Sequence, residues 1–151
     1  MINKSFAPEI AMKFLHSMIR VHNLETTIAF FEVLGLREVR RRDSQNGRFT
    51  LVFLETADPE DKAQIELTYN WDQQTPYDGG RNFGHLAFSV ENIYDICEQL
   101  QDHGVVIARP PRDGRMAFVR TPDNISIELL QQGDALPIQK PWCDLPNIGT
   151  W

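Results

Sequence analysis

The sequence predicts an α+β fold built from two tandem βαβββ units, because it contains an internal repeat. Phe14 and His16 match Phe83 and His85 at a constant offset of 69 positions. Each copy continues with patterns typical of a helix and then of further strands, so both copies predict the same order of elements. The same offset relates Val21 to Val90, Asn23 to Asn92 and Gly35 to Gly104.

The two copies also end alike, in the strands Ile65-Glu66-Leu67 and Ile127-Glu128-Leu129. These closing matches lie 62 rather than 69 positions apart. The second unit is therefore expected to have a shorter middle, and we place the shortening in the loop Arg109–Arg115.

Length and composition predict one domain of ordinary size. The chain has 151 residues, of which 42% are hydrophobic and 24% charged, as in a globular protein. We expect a single domain over residues 13–132, made of repeats at 13–70 and 83–132, with a tail at residues 133–151.

The N-terminal segment and the cysteine usage predict a cytoplasmic protein. A net charge of −6 disfavours a nucleic-acid partner, and no stretch approaches the length of a membrane span. The segment Met1–Ala11 has no sustained apolar region and predicts no secretory signal. Cys97 and Cys143 lack metal-type spacing, so both are expected to be reduced thiols.

The first unit opens with the predicted strand Phe14–Val21, whose alternation puts His16 and Arg20 on one face. Asn23 is the predicted N-cap of a helix that ends at Gly35. Three further strands are predicted at Leu36–Arg42, Phe49–Glu55 and Ala63–Asn70.

The second unit follows a polar linker, Trp71–Asn82. It begins with the predicted strand Gly84–Val90 and a helix that Asn92 caps and Gly104 ends. Its remaining strands are predicted at Val105–Arg109, Ala117–Thr121 and Ser126–Gln131.

The tail combines three prolines with two tryptophans, a composition that predicts no helix. We expect it to lie extended on a surface of the domain, because it is too aromatic for a free linker. A partly ordered terminus is the alternative.

Two histidines and two glutamates at repeat-matched positions predict a metal site. Imidazole nitrogen and carboxylate oxygen are ligands of divalent transition metals, and two of each leave positions for water. Any one of these residues alone is better explained as a core histidine or a solvated strand glutamate, and the match between the two repeats reverses that preference. His22 and His103, which lack repeat partners, serve as internal controls. The four candidates are His16, Glu66, His85 and Glu128.

Arg20 and Asn70 predict the far end of a binding groove. Each lies four residues after a candidate ligand, His16 or Glu66, and on the same face. At about 3.3 Å per residue, each is roughly 13 Å from the metal end. This layout suits an extended ligand that carries a carboxylate. The alternative for Arg20 is an exposed charge at a strand edge.

Four motifs contain these residues: His16-Ser17-Met18-Ile19-Arg20-Val21, Glu66-Leu67-Thr68-Tyr69-Asn70-Trp71, Gly84-His85-Leu86-Ala87, and Pro122-Asp123 with Ile127-Glu128-Leu129. Together they resemble bacterial glyoxalase I, lactoylglutathione lyase, of the vicinal oxygen chelate superfamily. The resemblance covers roughly Lys13–Gln132. It implies two βαβββ modules with curved mixed sheets.

The resemblance also implies an activity and an assembly. The reaction would isomerise the hemithioacetal of methylglyoxal and glutathione to S-lactoylglutathione. The protein would be a homodimer in which His16 and Glu66 of one chain meet His85 and Glu128 of the other. Nickel or cobalt is typical of the bacterial forms, and zinc of others.

By the same resemblance, Glu128 is the main base that takes the substrate C–H proton, and Glu66 is its counterpart. Arg20 and Asn70 match positions that hold the γ-glutamyl end of glutathione. Arg81 matches an arginine found there in some members.

The sequence departs from the family at Arg109–Arg115, where members usually carry a basic residue for the glycyl carboxylate of glutathione. Arg112 and Arg115 are the candidates for that role. An epimerase, dioxygenase or thiol transferase of the same superfamily is the alternative function, although the fourth ligand argues against it. A metal-free small-molecule-binding protein of the bleomycin-resistance kind is a further alternative, which metal content would distinguish.

Overall fold

A computed structural model describes residues 11–151 and confirms the α+β class. The fold has two mixed β-sheets, one for each unit, with four and three strands. Of the segment Met1–Ala11, used above to predict a cytoplasmic location, only Ala11 lies within the described residues. Across residues 11–151, no helix is long and apolar enough to cross a membrane.

The first unit has the predicted βαβββ order. The side-chain oxygen of Asn23 accepts a hydrogen bond from the backbone N–H of Thr26 at 3.0 Å and so caps the helix. Gly35 ends the same helix with φ of +91°, a left-handed conformation that glycine adopts without steric cost. The elements are β1 His16–Arg20, α1 Leu24–Val33, β2 Arg37–Ser44, β3 Phe49–Glu55 and β4 Gln64–Asn70.

The sheet of the first unit has the order β1-β4-β3-β2. β1 pairs with β4 in parallel, and the other two pairings are antiparallel. The opening and closing strands of the unit therefore lie side by side, although they are far apart in the chain.

The second unit repeats this arrangement on a smaller scale. Asn92 caps its helix by accepting hydrogen bonds from the backbone N–H groups of Tyr94 and Asp95. The sheet order is β5-β7-β6, again with the opening and closing strands in parallel contact. The elements are β5 His85–Val90, α2 Ile93–Asp102, β6 Met116–Arg120 and β7 Ser126–Gln131.

The prediction of a strand at Val105–Arg109 is wrong. This segment makes only an isolated bridge, between Arg109 and Phe118. Two prolines, Pro110 and Pro111, follow at once, and proline has no N–H with which to continue a ladder. The second sheet consequently lacks a counterpart of β2.

One hydrophobic core joins the two units, since its buried residues come from both helices and both sheets. Asp123, in the turn before β7, links the units through polar contacts. Its carboxylate accepts hydrogen bonds from the backbone N–H of His22 at 2.9 Å and the hydroxyl of Thr27 at 3.4 Å.

In α2, burial raises the pKa of the Cys97 thiol to about 12, and both Cys97 and Cys143 are free thiols.

The tail lies against the second unit. The backbone N–H of Leu136 donates to the oxygen of Gly114 at 2.9 Å, and the Tyr94 hydroxyl donates to the oxygen of Pro137 at 2.8 Å. Trp142 is only 6% exposed. It begins a single 3₁₀ turn, Trp142–Asp144, which corrects the prediction that the tail contains no helix.

Candidate metal centre

The first candidate pair forms between neighbouring parallel strands. Nε2 of His16, on β1, lies 2.8 Å from Oε2 of Glu66, on β4. The register places Met18 opposite Glu66, so His16 projects from the same face one pleat away. The His16 side chain is 38% exposed and that of Glu66 only 12%, so the pair opens to solvent on the imidazole side.

The second pair repeats this geometry in the other sheet. Nε2 of His85, on β5, lies 2.6 Å from Oε2 of Glu128, on β7. Ala87 is opposite Glu128, as Met18 is opposite Glu66. The same strand register therefore produces the same contact twice, and the side-chain exposures are again unequal, at 42% and 15%.

The two pairs have the donor chemistry of a transition-metal site. In each pair a ring nitrogen and a carboxylate oxygen approach the same point from adjacent strands. A neutral imidazole nitrogen and a carboxylate both have lone pairs that a divalent cation accepts, so the residues fit such an ion.

A phenylalanine supports each histidine, a feature that the repeat offsets do not predict. Phe53 of β3 is opposite Glu66, and its ring lies nearly perpendicular to that of His16 at a centroid distance of 6.0 Å. Phe118 of β6 is opposite Glu128 and contacts His85 in the same way, at 5.4 Å. The two rings are 65 positions apart, so neither repeat offset, 69 or 62, relates them. The second unit therefore loses four residues before Phe118, in the loop Arg109–Arg115, and three more in the turn between β6 and β7, which corrects the placing of the whole shortening in that loop.

The four candidate ligands do not come together within one chain. They lie as two pairs on two separate sheets. Within residues 11–151, no three side chains among the His, Cys, Asp and Glu residues are grouped closely enough to hold a metal ion. A four-ligand site therefore needs a second copy of the chain or a different arrangement of the two units.

Arg20 and Asn70 lie at the far ends of β1 and β4. Arg20 is opposite Thr68, which lies two residues before Asn70. In the same way, His16 is opposite Gln64, two residues before Glu66. The amide oxygen of Asn70 accepts a hydrogen bond from the hydroxyl of Tyr77 at 3.2 Å. Arg20 is exposed, as is Arg81 in the linker.

The loop Arg109–Arg115 contains the two basic candidates for binding a ligand carboxylate, Arg112 and Arg115, and their surroundings differ. Arg112 donates to the backbone oxygen of Leu145 at 3.1 Å and to Oδ1 of Asn147 at 2.8 Å, so its guanidinium holds the tail. Arg115 remains exposed. Arg115 is therefore the better placed of the two to meet a ligand.

The control histidines lie elsewhere. The His22 ring contacts the backbone oxygen of Gln74 at 3.2 Å, and the His103 ring contacts that of Gln99 at 2.8 Å. Among residues 11–151, neither ring is paired with a carboxylate. The contrast sets the two repeat-matched histidines apart.

Comparisons with known proteins identify the family of the chain. Residues 13–129 match the family model described as Glyoxalase/Bleomycin resistance protein/Dioxygenase superfamily. Lactoylglutathione lyase of Neisseria meningitidis serogroup A is 41% identical over 127 residues, covering 80% of this chain and 91% of that protein. The lactoylglutathione lyase of Salmonella typhimurium is 38% identical over 130 residues, covering 82% and 96%. The solved structure of Leishmania major glyoxalase I, described as trypanothione-dependent, has a TM-score of 0.74 and 37% identity, covering 80% of this chain and 87% of that one.

Proposed function

We propose that this chain, which belongs to the Glyoxalase/Bleomycin resistance protein/Dioxygenase superfamily, is a metal-dependent lactoylglutathione lyase of the glyoxalase I type. It would convert the hemithioacetal of methylglyoxal and glutathione to S-lactoylglutathione. The observation that carries the proposal is the His–Glu contact repeated at one strand register in both units. The identities of 41% and 38% to named lactoylglutathione lyases support it.

The proposed metal centre takes His16 and Glu66 from one chain and His85 and Glu128 from a second copy. This assignment is supported by the separation of the two pairs within residues 11–151 of one chain. The functional unit would then be a cytoplasmic homodimer with two sites. We propose nickel or cobalt as the native metal, with zinc as the alternative, since all three accept two imidazoles and two carboxylates. Such an ion supplies a Lewis acid that stabilises negative charge developing on the substrate oxygens.

Glu128 is the proposed base. Its carboxylate would take the proton from the substrate carbon that bears sulfur and hydroxyl and return it to the neighbouring carbonyl carbon, while the hydroxyl proton passes to the oxygen of that second carbon. The side chain is 15% exposed, and this burial limits exchange of the transferred proton with water. His85, whose Nε2 lies 2.6 Å from Oε2 of Glu128, would be the neighbouring metal ligand. Glu66, with 12% exposure, is its counterpart from the other chain.

Recognition of the thiol adduct is assigned to the far end of the groove. The Arg20 guanidinium would bind the carboxylate of the γ-glutamyl group through charge-assisted hydrogen bonds. Since the Tyr77 hydroxyl donates to Oδ1 of Asn70, the amide N–H groups of Asn70 serve as further donors. Arg81 is exposed in the linker and would add a second positive charge.

The glycyl end of glutathione has fewer candidate partners. Arg112 already holds the tail, which leaves Arg115 as the exposed cation of the shortened loop. We therefore expect the glutamyl end to dominate recognition. The trypanothione dependence of the Leishmania major protein makes the choice of thiol worth testing directly.

The test is an ultraviolet assay for S-lactoylglutathione with methylglyoxal and glutathione. Apo-protein would be assayed alone and after reloading with nickel, cobalt, zinc or manganese. Activity that appears only after reloading supports the proposal. A protein that binds metal but turns over no glutathione adduct would point to another thiol or another reaction of the superfamily. A protein with no stoichiometric metal under any condition would be a metal-free binding protein instead.

A further inference from the structure

The tail reaches the candidate metal centre through one aromatic contact. The ring of Trp151 stacks on that of Phe118, with centroids 5.3 Å apart and planes 17° from parallel. Phe118 in turn contacts the ring of His85. Trp151 is thus two ring contacts from a proposed metal ligand, although the family match ends at residue 129.

In the first unit, an arginine rather than a tryptophan covers the corresponding phenylalanine. There the guanidinium of Arg40 lies over the ring of Phe53, 3.8 Å from its centroid, and Phe53 contacts His16. Arg40 is opposite Phe53 in the β2–β3 pairing. A cation from the adjacent strand therefore covers the phenylalanine beside the histidine.

The counterpart in the second unit is Arg109, which is opposite Phe118 and lies 69 positions after Arg40. Its guanidinium is turned to the loop, however. It donates to the backbone oxygen of Met116 and to Oδ2 of Asp113, the latter at 3.4 Å. Because this segment forms no strand, the position over Phe118 is taken by Trp151 from the tail.

Several hydrogen bonds bring Trp151 to this position. The backbone N–H of Ile148 donates to the oxygen of Ala108 at 2.8 Å, where the missing strand would run. Nε of Arg120, on β6, donates to the backbone oxygen of Thr150 at 2.7 Å. Arg112 holds Asn147 at 2.8 Å. These bonds hold the tail on both sides of the shortened loop.

We propose that Trp151 is a positioning residue for His85, so that the tail forms part of the active site. The inference rests on the proposed function for the identity of the metal centre. Trp151 acts through Phe118: with the indole in place, the phenylalanine ring is held against the imidazole, and the imidazole keeps its direction toward Glu128. Without the indole, Phe118 gains freedom and His85 loses a fixed orientation.

The first experiment needs no metal. Histidine ring resonances of the apo-protein would be compared by NMR in the wild type, Trp151→Ala, Trp151→Phe and Thr150→Ala. We expect Trp151→Ala to shift the His85 resonances, leave those of His16 and His103 in place, and be largely reversed by Trp151→Phe. Thr150→Ala is the matched control, because Arg120 hydrogen-bonds the backbone oxygen of Thr150, which this substitution leaves in place. Unmoved His85 resonances, or an equal shift in the control, would overturn the inference.

The second experiment measures cobalt binding by its visible absorption and by quenching of tryptophan fluorescence. Loss of one aromatic contact should weaken cobalt affinity about 2- to 10-fold in Trp151→Ala. Combining Trp151→Ala with Phe118→Leu should cost no more than Phe118→Leu alone, since Trp151 acts through that ring. Full additivity would contradict the proposed route.

The two proposals fail in different ways. A wild-type protein that binds no metal would contradict the proposed function. The histidine ring resonances of the apo-protein would still show whether Trp151 positions His85. A wild-type protein that binds metal and is active, with cobalt affinity and His85 resonances unchanged in Trp151→Ala, leaves the function standing and removes the role of Trp151.

Discussion

His85 and Glu128 are in contact, with Nε2 and Oε2 2.6 Å apart, because their strands are parallel neighbours and Glu128 lies two residues beyond Ser126, the register partner of His85. His16 and Glu66 stand in the same relation, at 2.8 Å. One register thus builds two half-sites, and each half supplies one nitrogen and one oxygen.

Replacement of a histidine in either pair should abolish metal binding. We expect His85→Ala or His16→Ala to reduce metal affinity by more than about 100-fold, because outer partners of ligands alone are worth about 10- to 100-fold. Turnover should fall to the level of the apo-protein. The measurement is metal content by mass spectrometry after dialysis against a metal buffer.

His103→Ala is the matched control, since that ring hydrogen-bonds a backbone oxygen at the end of α2. It should keep its metal and its activity. Full metal occupancy in His85→Ala would rule out the four-ligand site.

Mixing two inactive variants should restore activity if sites are shared between chains. In a mixed dimer of His16→Ala and Glu128→Gln, one site carries both lesions and the other carries neither. Up to half of the sites of such dimers should therefore be active. The measurement is turnover after the chains have been mixed, unfolded and refolded together.

Each variant refolded alone is the control for this experiment, and exchange of chains would be verified with differently tagged copies. Verified mixed dimers without activity would count against sites that combine His16 and Glu66 of one chain with the second pair of the other.

Arg20→Ala should weaken binding of the thiol adduct without loss of metal. A hydrogen bond to a charged group is worth about 1.5–3 kcal/mol, so kcat/KM should fall on the order of 10- to 150-fold. The loss should appear mainly in KM if the contact is equal in the ground and transition states. Steady-state kinetics with glutathione, together with metal analysis, measure both effects.

Arg37→Ala offers a comparison for Arg20→Ala, because Arg37 is an exposed arginine on β2, at the opposite edge of the same sheet. It should have little effect. Wild-type kinetics in Arg20→Ala would mean that glutathione does not bind along this face.

Gly114→Ala should detach the tail. Gly114 has φ of +68°, and a Cβ atom there would clash with the backbone oxygen of Leu136. The strain and the lost contact should lower the free energy of unfolding by about 1–3 kcal/mol. Thermal or urea unfolding, followed by tryptophan fluorescence, is the measurement.

Gly79→Ala is the matched substitution, since a Cβ atom there would meet nothing within 4 Å. Its stability should be close to that of the wild type. If Gly114→Ala were equally stable, the tail would not be held at this point.

Local patterns in the sequence were enough to predict much of this protein. Alternation along β1 separated His16 from the buried Ile19, and the helix caps Asn23 and Asn92 were both confirmed. These features depend on residues a few positions apart, whose relative directions are set by strand and helix geometry. The repeat added the second half-site without any knowledge of the fold.

Tertiary structure decided three further features that depend on distant segments. The failure of Val105–Arg109 to form a strand depends on Pro110 and Pro111 and on the course of the shortened loop. The phenylalanine beside each histidine follows from strand register, which sequence periodicity does not specify across different turn lengths. The place of Trp151 depends on hydrogen bonds from Arg112 and Arg120, whose partners lie about 30 or more positions away, so only the folded chain brings that indole to Phe118.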